Sequence, residues 1–256
     1  MASLPACSPE KKAAKHMKKG DEYLNSSQYK EASIEFKNVI QIDPKNAQGH
    51  YRLGLAYLKL GGPTYLKLAF EELNKAVEFD PNLMDAQLKI GEFYFLSRDF
   101  DKAMERADFI LKKEANNIDA KILLATIYSW KKDFKKAIPI MEEALKADPD
   151  SIKSYMAMAG IYHANNDSAS AERIYKKAIA ARSDAVEPRI ALANLYFKQG
   201  KTKDSENELK KAIEIKPDNP EIRILLANFY IAAKRFSEAE KTYESVITLK
   251  PDNPNG

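Results

Sequence analysis

Three histidines, a single cysteine and a series of tyrosines are the side chains of this 256-residue chain best suited to chemistry. His16, His50 and His163 have no cysteine or paired acid near them at metal-ligand spacing. Each is expected on a groove or at the surface rather than on a metal. One cysteine, Cys7, excludes a disulfide framework and a multi-cysteine zinc site. Phosphate-cradling loops, a nucleophile elbow and a glycine-rich dinucleotide fingerprint do not occur in the sequence. The paired acids of "FEELNK" and "MEEALK" lie beside lysines at helical spacing and read as solvated ion-pair faces. No catalytic residue, metal site or cofactor is expected.

The tyrosines look reactive only until their spacing is seen. Tyr23, Tyr57, Tyr94, Tyr128, Tyr162, Tyr196 and Tyr230 recur every 34 residues, with one gap of 37. Three residues before each stands a glycine or alanine, from Gly20 and Gly54 to Ala193 and Ala227. Nine residues after most of them comes another small residue, and units close on Pro44, Pro81, Pro149, Pro217 and Pro251. A fixed period of this length is the mark of a solenoid. The stretch "HYRLGLAYLKL" carries apolar residues on two faces, which suits a helix sandwiched between neighbours. Small residues allow the paired helix of the same unit to approach, and the tyrosines fill core space. Asp-Pro and Lys-Pro steps end each second helix. In "KLGGPTYLK" the second unit gains three residues, read from Gly61, Gly62 and Pro63 as a longer loop. Pro139 is expected early in a second helix, where it costs little.

This pattern resembles the tetratricopeptide repeat family over nearly the whole chain. The expected fold is all-α: a right-handed superhelix of about seven helix-turn-helix repeats. An N-terminal segment, 1–12, precedes repeats over 13–251, taken as 13–46, 47–83, 84–117, 118–151, 152–185, 186–219 and 220–253. Residues 254–256 then open a truncated further repeat. The resemblance implies that first helices line a concave groove holding a protein or peptide partner. Groove positions carried over from the family include Tyr51, Phe95, Thr126, Trp130, His163, Asn194, Phe197 and Asn228. Rings there would take side chains, and Asn194 and Asn228, equivalent in adjacent repeats, would bond a peptide backbone. Chaperone-binding members grip a carboxylate with lysine at the fifth position of a repeat. Here the fifth positions are Met17, Tyr51, Leu88, Ile122, Met156, Ile190 and Ile224, so that clamp is not expected.

The chain carries +4, too mild for nucleic acid to be an expected partner. Its lysines cluster in "KKAAKHMKKG" and "KKDFKK", to be weighed as an attraction to anionic lipid or an acidic partner against plain solvated faces. The last helix carries Tyr243, Val246, Ile247 and Leu249 with nothing after it to cover them, an edge fit for self-association. In "LPACSPEKK" the motif Leu-x-Ala-Cys matches the end of a bacterial lipoprotein signal, which would make Cys7 a lipidated membrane anchor. The stretch from Cys7 through "YKEASIEFKN" and "AQGHYRLGLAYL" is similar to tetratricopeptide repeat lipoproteins of exopolysaccharide export and PEP-CTERM (exosortase) sorting in Gram-negative bacteria. That resemblance implies a non-catalytic scaffold on the periplasmic side of the envelope. Open alternatives are a cytoplasmic location, the repeat region of a larger enzyme such as a glycosyltransferase, and a lipoprotein of pilus or outer-membrane assembly.

Overall fold

The computed structural model describes residues 8–249, so Cys7, Pro251 and residues 254–256 lie outside the described residues. Every regular element among those described is an α-helix, fourteen in all. Hairpins follow one another along the chain: α1 (Pro9–Asn25) packs on α2 (Tyr29–Ile42), α3 (Ala47–Leu60) on α4 (Gly62–Phe79), and α5 (Met84–Leu96) on α6 (Phe100–Lys113). After α7 (Ile118–Trp130) and α8 (Phe134–Ala147), α9 (Ile152–Ala164) packs on α10 (Ser168–Ala181) and α11 (Glu187–Lys198) on α12 (Thr202–Ile215). The last pair is α13 (Pro220–Ala232) with α14 (Phe236–Leu249). The chain divides into two compact units, Met1–Ile127 and Tyr128–Gly256.

Each hairpin follows from a few recurring residues. Except in α3, where Gly61 N bonds the Tyr57 carbonyl four residues back, first helices end with a backbone bond from the residue five past the tyrosine to the tyrosine carbonyl. Examples are Gln28 N to Tyr23 O at 2.9 Å and Arg235 N to Tyr230 O at 2.8 Å. This six-to-one closure needs a left-handed residue just before the donor. Ser27, Arg98, Lys132, Asn166, Gly200 and Lys234 fill that place, with φ between 58° and 74°. Side chains then start the second helices: Asp99, Asp133 and Asp167 each accept from the N–H three residues on. Asn46, Ser151 and Asn219 do the same for first helices.

The small residues act as expected, as contact points within a repeat. A Cβ on Gly20 would collide with the Phe36 ring, and one on Gly54 would stand 2.9 Å from Leu73 Cγ. Phe36 and Leu73 are fully buried because those glycines leave room. Of the periodic tyrosines, Tyr57, Tyr196 and Tyr230 are buried and the other four half-buried. Tyr196 and Tyr230 keep their hydroxyls on Glu172 (3.3 Å) and Glu206 (2.8 Å) of the preceding repeat.

Four sequence expectations need correction. The three residues added in the second repeat do not make a longer loop. Gly61 and Gly62, at φ 68° and 81°, turn the chain sharply, and α4 begins at Gly62 with Pro63 in its first turn. Proline's fixed φ suits that place, so the insertion becomes an extra helical turn, steadied by Tyr65 stacked on Tyr57 at 5.7 Å. Pro139 is the sixth residue of α8, an interior site; it sits on an exposed face, where water can satisfy the carbonyl it leaves unpaired. α1 starts at Pro9, inside the segment assigned to the N-terminus, because Ser8 caps it. His50 is neither on a groove nor at the surface: it is 4% exposed, between Glu72 (2.5 Å) and the Pro44 carbonyl (3.0 Å).

Candidate functional site

The family resemblance puts a partner on the first helices, so the candidates are first-helix side chains that packing leaves open. In the second unit, His163 of α9 and Asn194 of α11 are both exposed and line one cavity of about 190 Å³. Tyr175, Ala191, Leu195 and Lys198 complete its wall. The cavity forms because α9, α10 and α11 are consecutive, and small Ala191 faces it where a larger residue would fill it. Its polar atoms are an imidazole, a carboxamide, an ammonium and a phenol. Burial raises the Tyr175 pKa, so its hydroxyl stays protonated and serves as a hydrogen-bond donor at neutral pH.

One turn along α11, Phe197 is partly exposed and stands 5.5 Å from Phe229 at 70°, an edge-to-face pair. Asn228 of α13 is exposed, and its Oδ1 accepts a 2.6 Å hydrogen bond from the Tyr243 hydroxyl. That bond leaves the Asn228 amide group to donate. Asn194 lacks the equivalent contact, since Leu209 stands where Tyr243 does. The two asparagines therefore differ in environment although their register is the same. Ile224 and Ile231, partly exposed on α13, continue an apolar strip beside them.

The remaining sequence-derived site residues are distributed differently. Trp130 is 54% exposed at the end of α7. In the first unit Thr126 is half-buried, and Phe95 is half-buried with its ring 5.8 Å from Phe100. Tyr51 is 8% exposed and packs with Leu73 and Ala76, while Arg52 stands over its ring at 5.8 Å. Burial, with Asp85 and Glu92 adding to it, pushes its pKa up to about 12. Tyr51 is thus part of the core, offering little to a ligand. Cys7 lies outside the described residues.

Reading by residue type missed a recurrent polar pair. The fourth residue of a repeat reaches the second helix of the same hairpin: His16 to Glu35 (2.5 Å), His50 to Glu72 (2.5 Å), Gln87 to Arg106 (2.8 Å) and Arg189 to Glu208 (2.9 Å). From the same position, His50, Gln87 and Arg223 also bond the proline carbonyl six residues earlier. The signal was available in the 34-residue register, where each fourth position holds a polar or long side chain. The His–Glu pairs resemble oriented acid–base dyads. Both ring nitrogens of buried His50 are occupied by protein, however, so the pair locks a hairpin and offers no proton to a substrate. Among the described residues no group of three or more His, Cys, Asp or Glu side chains is arranged to hold a metal ion.

Residues 95–161, 131–175, 162–214 and 197–256 match the tetratricopeptide repeat family, and residues 20–61 match a further repeat profile of the same kind. The chain belongs to the tetratricopeptide repeat family, a family of protein-binding scaffolds. Yeast Tom70 superposes with a TM-score of 0.75 at 20% identity, covering 94% of this chain and 50% of that one. PilW, described as a widely conserved type IV pilus biogenesis factor, superposes with a TM-score of 0.68 at 15% identity, covering 84% and 98%. At those identities the likeness is one of fold. Among curated proteins, Hsp70-Hsp90 organizing protein 1 of Glycine max is 31% identical over 88 residues, 34% of this chain. The matching stretch spans only 15% of that relative's length.

Proposed function

We propose that this chain is a non-catalytic scaffold that holds an extended partner segment on the first-helix face of its second unit. One observation carries the reading: His163 and Asn194, groove positions carried over from the family, line a shared cavity, and Phe197, Asn228 and Ile231 are exposed on α11 and α13. Carboxamides and an imidazole suit a peptide backbone, and the phenylalanine and isoleucines suit its apolar side chains. A carboxylate-gripping co-chaperone is less well supported, despite the similarity to Hsp70-Hsp90 organizing proteins. The fifth positions are apolar, and Tyr51 and Leu88 among them are buried. Phage-displayed random peptides panned on the chain should enrich sequences that bind it. Asn194→Ala with Phe197→Ala should weaken the enriched peptides at least about tenfold, as loss of a hydrogen bond and an aromatic contact does. Unchanged affinity in a folded double variant would place the binding surface elsewhere.

The envelope address forms the second part of the proposal. Cys7 within "LPAC" supports lipidation, and the resemblance to export and sorting lipoproteins supports a periplasmic scaffold in exopolysaccharide export or PEP-CTERM sorting. Palmitate labelling of the protein made from its native gene, lost in Cys7→Ser, is the expected result; labelling that survives the change rules out Cys7. The sequence encoded on either side of residues 1–256 separates a lipoprotein from the repeat region of a larger enzyme. The α14 face, where Ile247 is 70% exposed beside half-buried Tyr243 and Val246, supports self-association as a further contact. Sedimentation of the chain and of Ile247→Lys measures it.

A further inference from the structure

The outer face of α1 departs from that of every later first helix. At the third and seventh positions of a repeat, later first helices bury small or apolar side chains, such as Ala86, Pro188 and Ile222, or Leu53, Ile90 and Leu192. In α1 these positions are Lys15 and Lys19, both exposed. Lys11, Lys12 and Lys18 are exposed as well. At 100° per residue the five lysines fall within an arc of about 120°. Ala13 and Gly20, which are buried, lie on the opposite side.

The acids of α1 hardly dilute that arc. Glu22 is the one carboxylate inside it, 3.9 Å from Lys18 with both side chains largely exposed. Asp21 turns away to Arg52 of α3 at 3.3 Å, and Glu10 lies in the first turn, outside the arc. His16 turns to Glu35 of α2. Five positive charges against one negative give the face the same excess, +4, as the whole chain, so the rest of the molecule is balanced. A solvated cap at the start of a solenoid needs polar residues of either sign. A single sign over one helical face is what an anionic surface selects.

We propose that this lysine face of α1 docks on an anionic lipid bilayer. The choice of lipid over another polyanion rests on the envelope reading above. Cys7 stands two residues before Pro9 in the sequence, where α1 begins. A lipid on Cys7 and the lysine face would therefore meet the same membrane. The face would also orient the array, holding α1 against the headgroups.

The test uses the chain with Cys7→Ser, which removes any lipid contribution, and vesicles of phosphatidylcholine with and without one-third phosphatidylglycerol. Binding is expected to the anionic vesicles alone, and to fall steeply between about 0.05 M and 0.5 M ionic strength. Each lysine near an anionic surface is worth about fivefold in partitioning, so Lys15→Glu with Lys19→Glu should lower it at least about twentyfold. Reversing exposed Lys177 and Lys203 in the second unit should change it less than about twofold. Equal binding to neutral vesicles, or indifference to the α1 reversals, overturns the proposal. So does α1-dependent binding to soluble polyglutamate without vesicle binding, which would assign the face to an acidic macromolecule. Cys7 that carries no palmitate while vesicle binding persists defeats the anchor and leaves this proposal standing.

Discussion

At the scale of single residues, the second unit shows how a tyrosine meant for packing acquires an ionic partner. Glu206 receives Tyr230 Oη at 2.8 Å, Lys210 Nζ at 2.8 Å and the Arg235 guanidinium at 2.5 Å. Burial alone would raise its pKa, but these donors together outweigh burial and hold it at about 2. Arg235 and Lys210 are raised in return. A carboxylate depressed in the folded state stabilises above its unfolded pKa, and that contribution disappears as pH falls through the folded value. Glu206→Gln should therefore cost about 1–2 kcal/mol at pH 7, allowing for solvent at the rim of the cluster. The gap between the two proteins should narrow as pH drops from about 5 toward 2 in urea unfolding. A gap independent of pH would mean that Glu206 contributes by packing alone. The tyrosine spacing was readable in the sequence. Its acidic partner was not, since the two lie 24 residues apart and meet only when repeats stack.

Elements show a similar division. That helices pair, and that Gly20 and Gly54 are where they touch, followed from spacing because close approach tolerates few residue types. The fate of "KLGGPTYLK" did not follow. Two glycines and a proline read equally well as a loop or as one sharp break before a helix. The stacking of Tyr65 on Tyr57 favours the second, and that is a tertiary contact. The turn within each hairpin requires a left-handed residue, where a side chain is strained and glycine is not. Gly200 fills that place in α11–α12 at φ 74°, while Lys132 fills it between α7 and α8 at φ 60°. Lys132→Gly should raise stability by about 0.5–1 kcal/mol, and Gly200→Ala should lower it by about 1 kcal/mol. Denaturant midpoints check both. Equal and opposite failure of these signs would show the turns to be relaxed by their surroundings.

For the molecule as a whole, two compact units built of repeats imply stability that is local, because each repeat contacts only its neighbours. Phe36→Ala removes a fully buried ring from the first hairpin and should cost about 3–5 kcal/mol there. Hydrogen exchange should accelerate across α1–α4 while α11–α14 keep their protection; uniform acceleration would show a single cooperative unit. The sequence by itself determined the architecture, since a 34-residue register of small residues, tyrosines and helix-ending prolines has one economical packing. It also determined which first-helix positions are eligible to meet a partner. Only the tertiary structure decided which of those positions stay open: Tyr51 sinks into the core, whereas His163 and Asn194 line one cavity. Only it revealed that the five lysines of α1 all stand exposed. Register assigns a residue to a face of its helix, but exposure depends on what the neighbouring helices leave uncovered, and no local pattern encodes that.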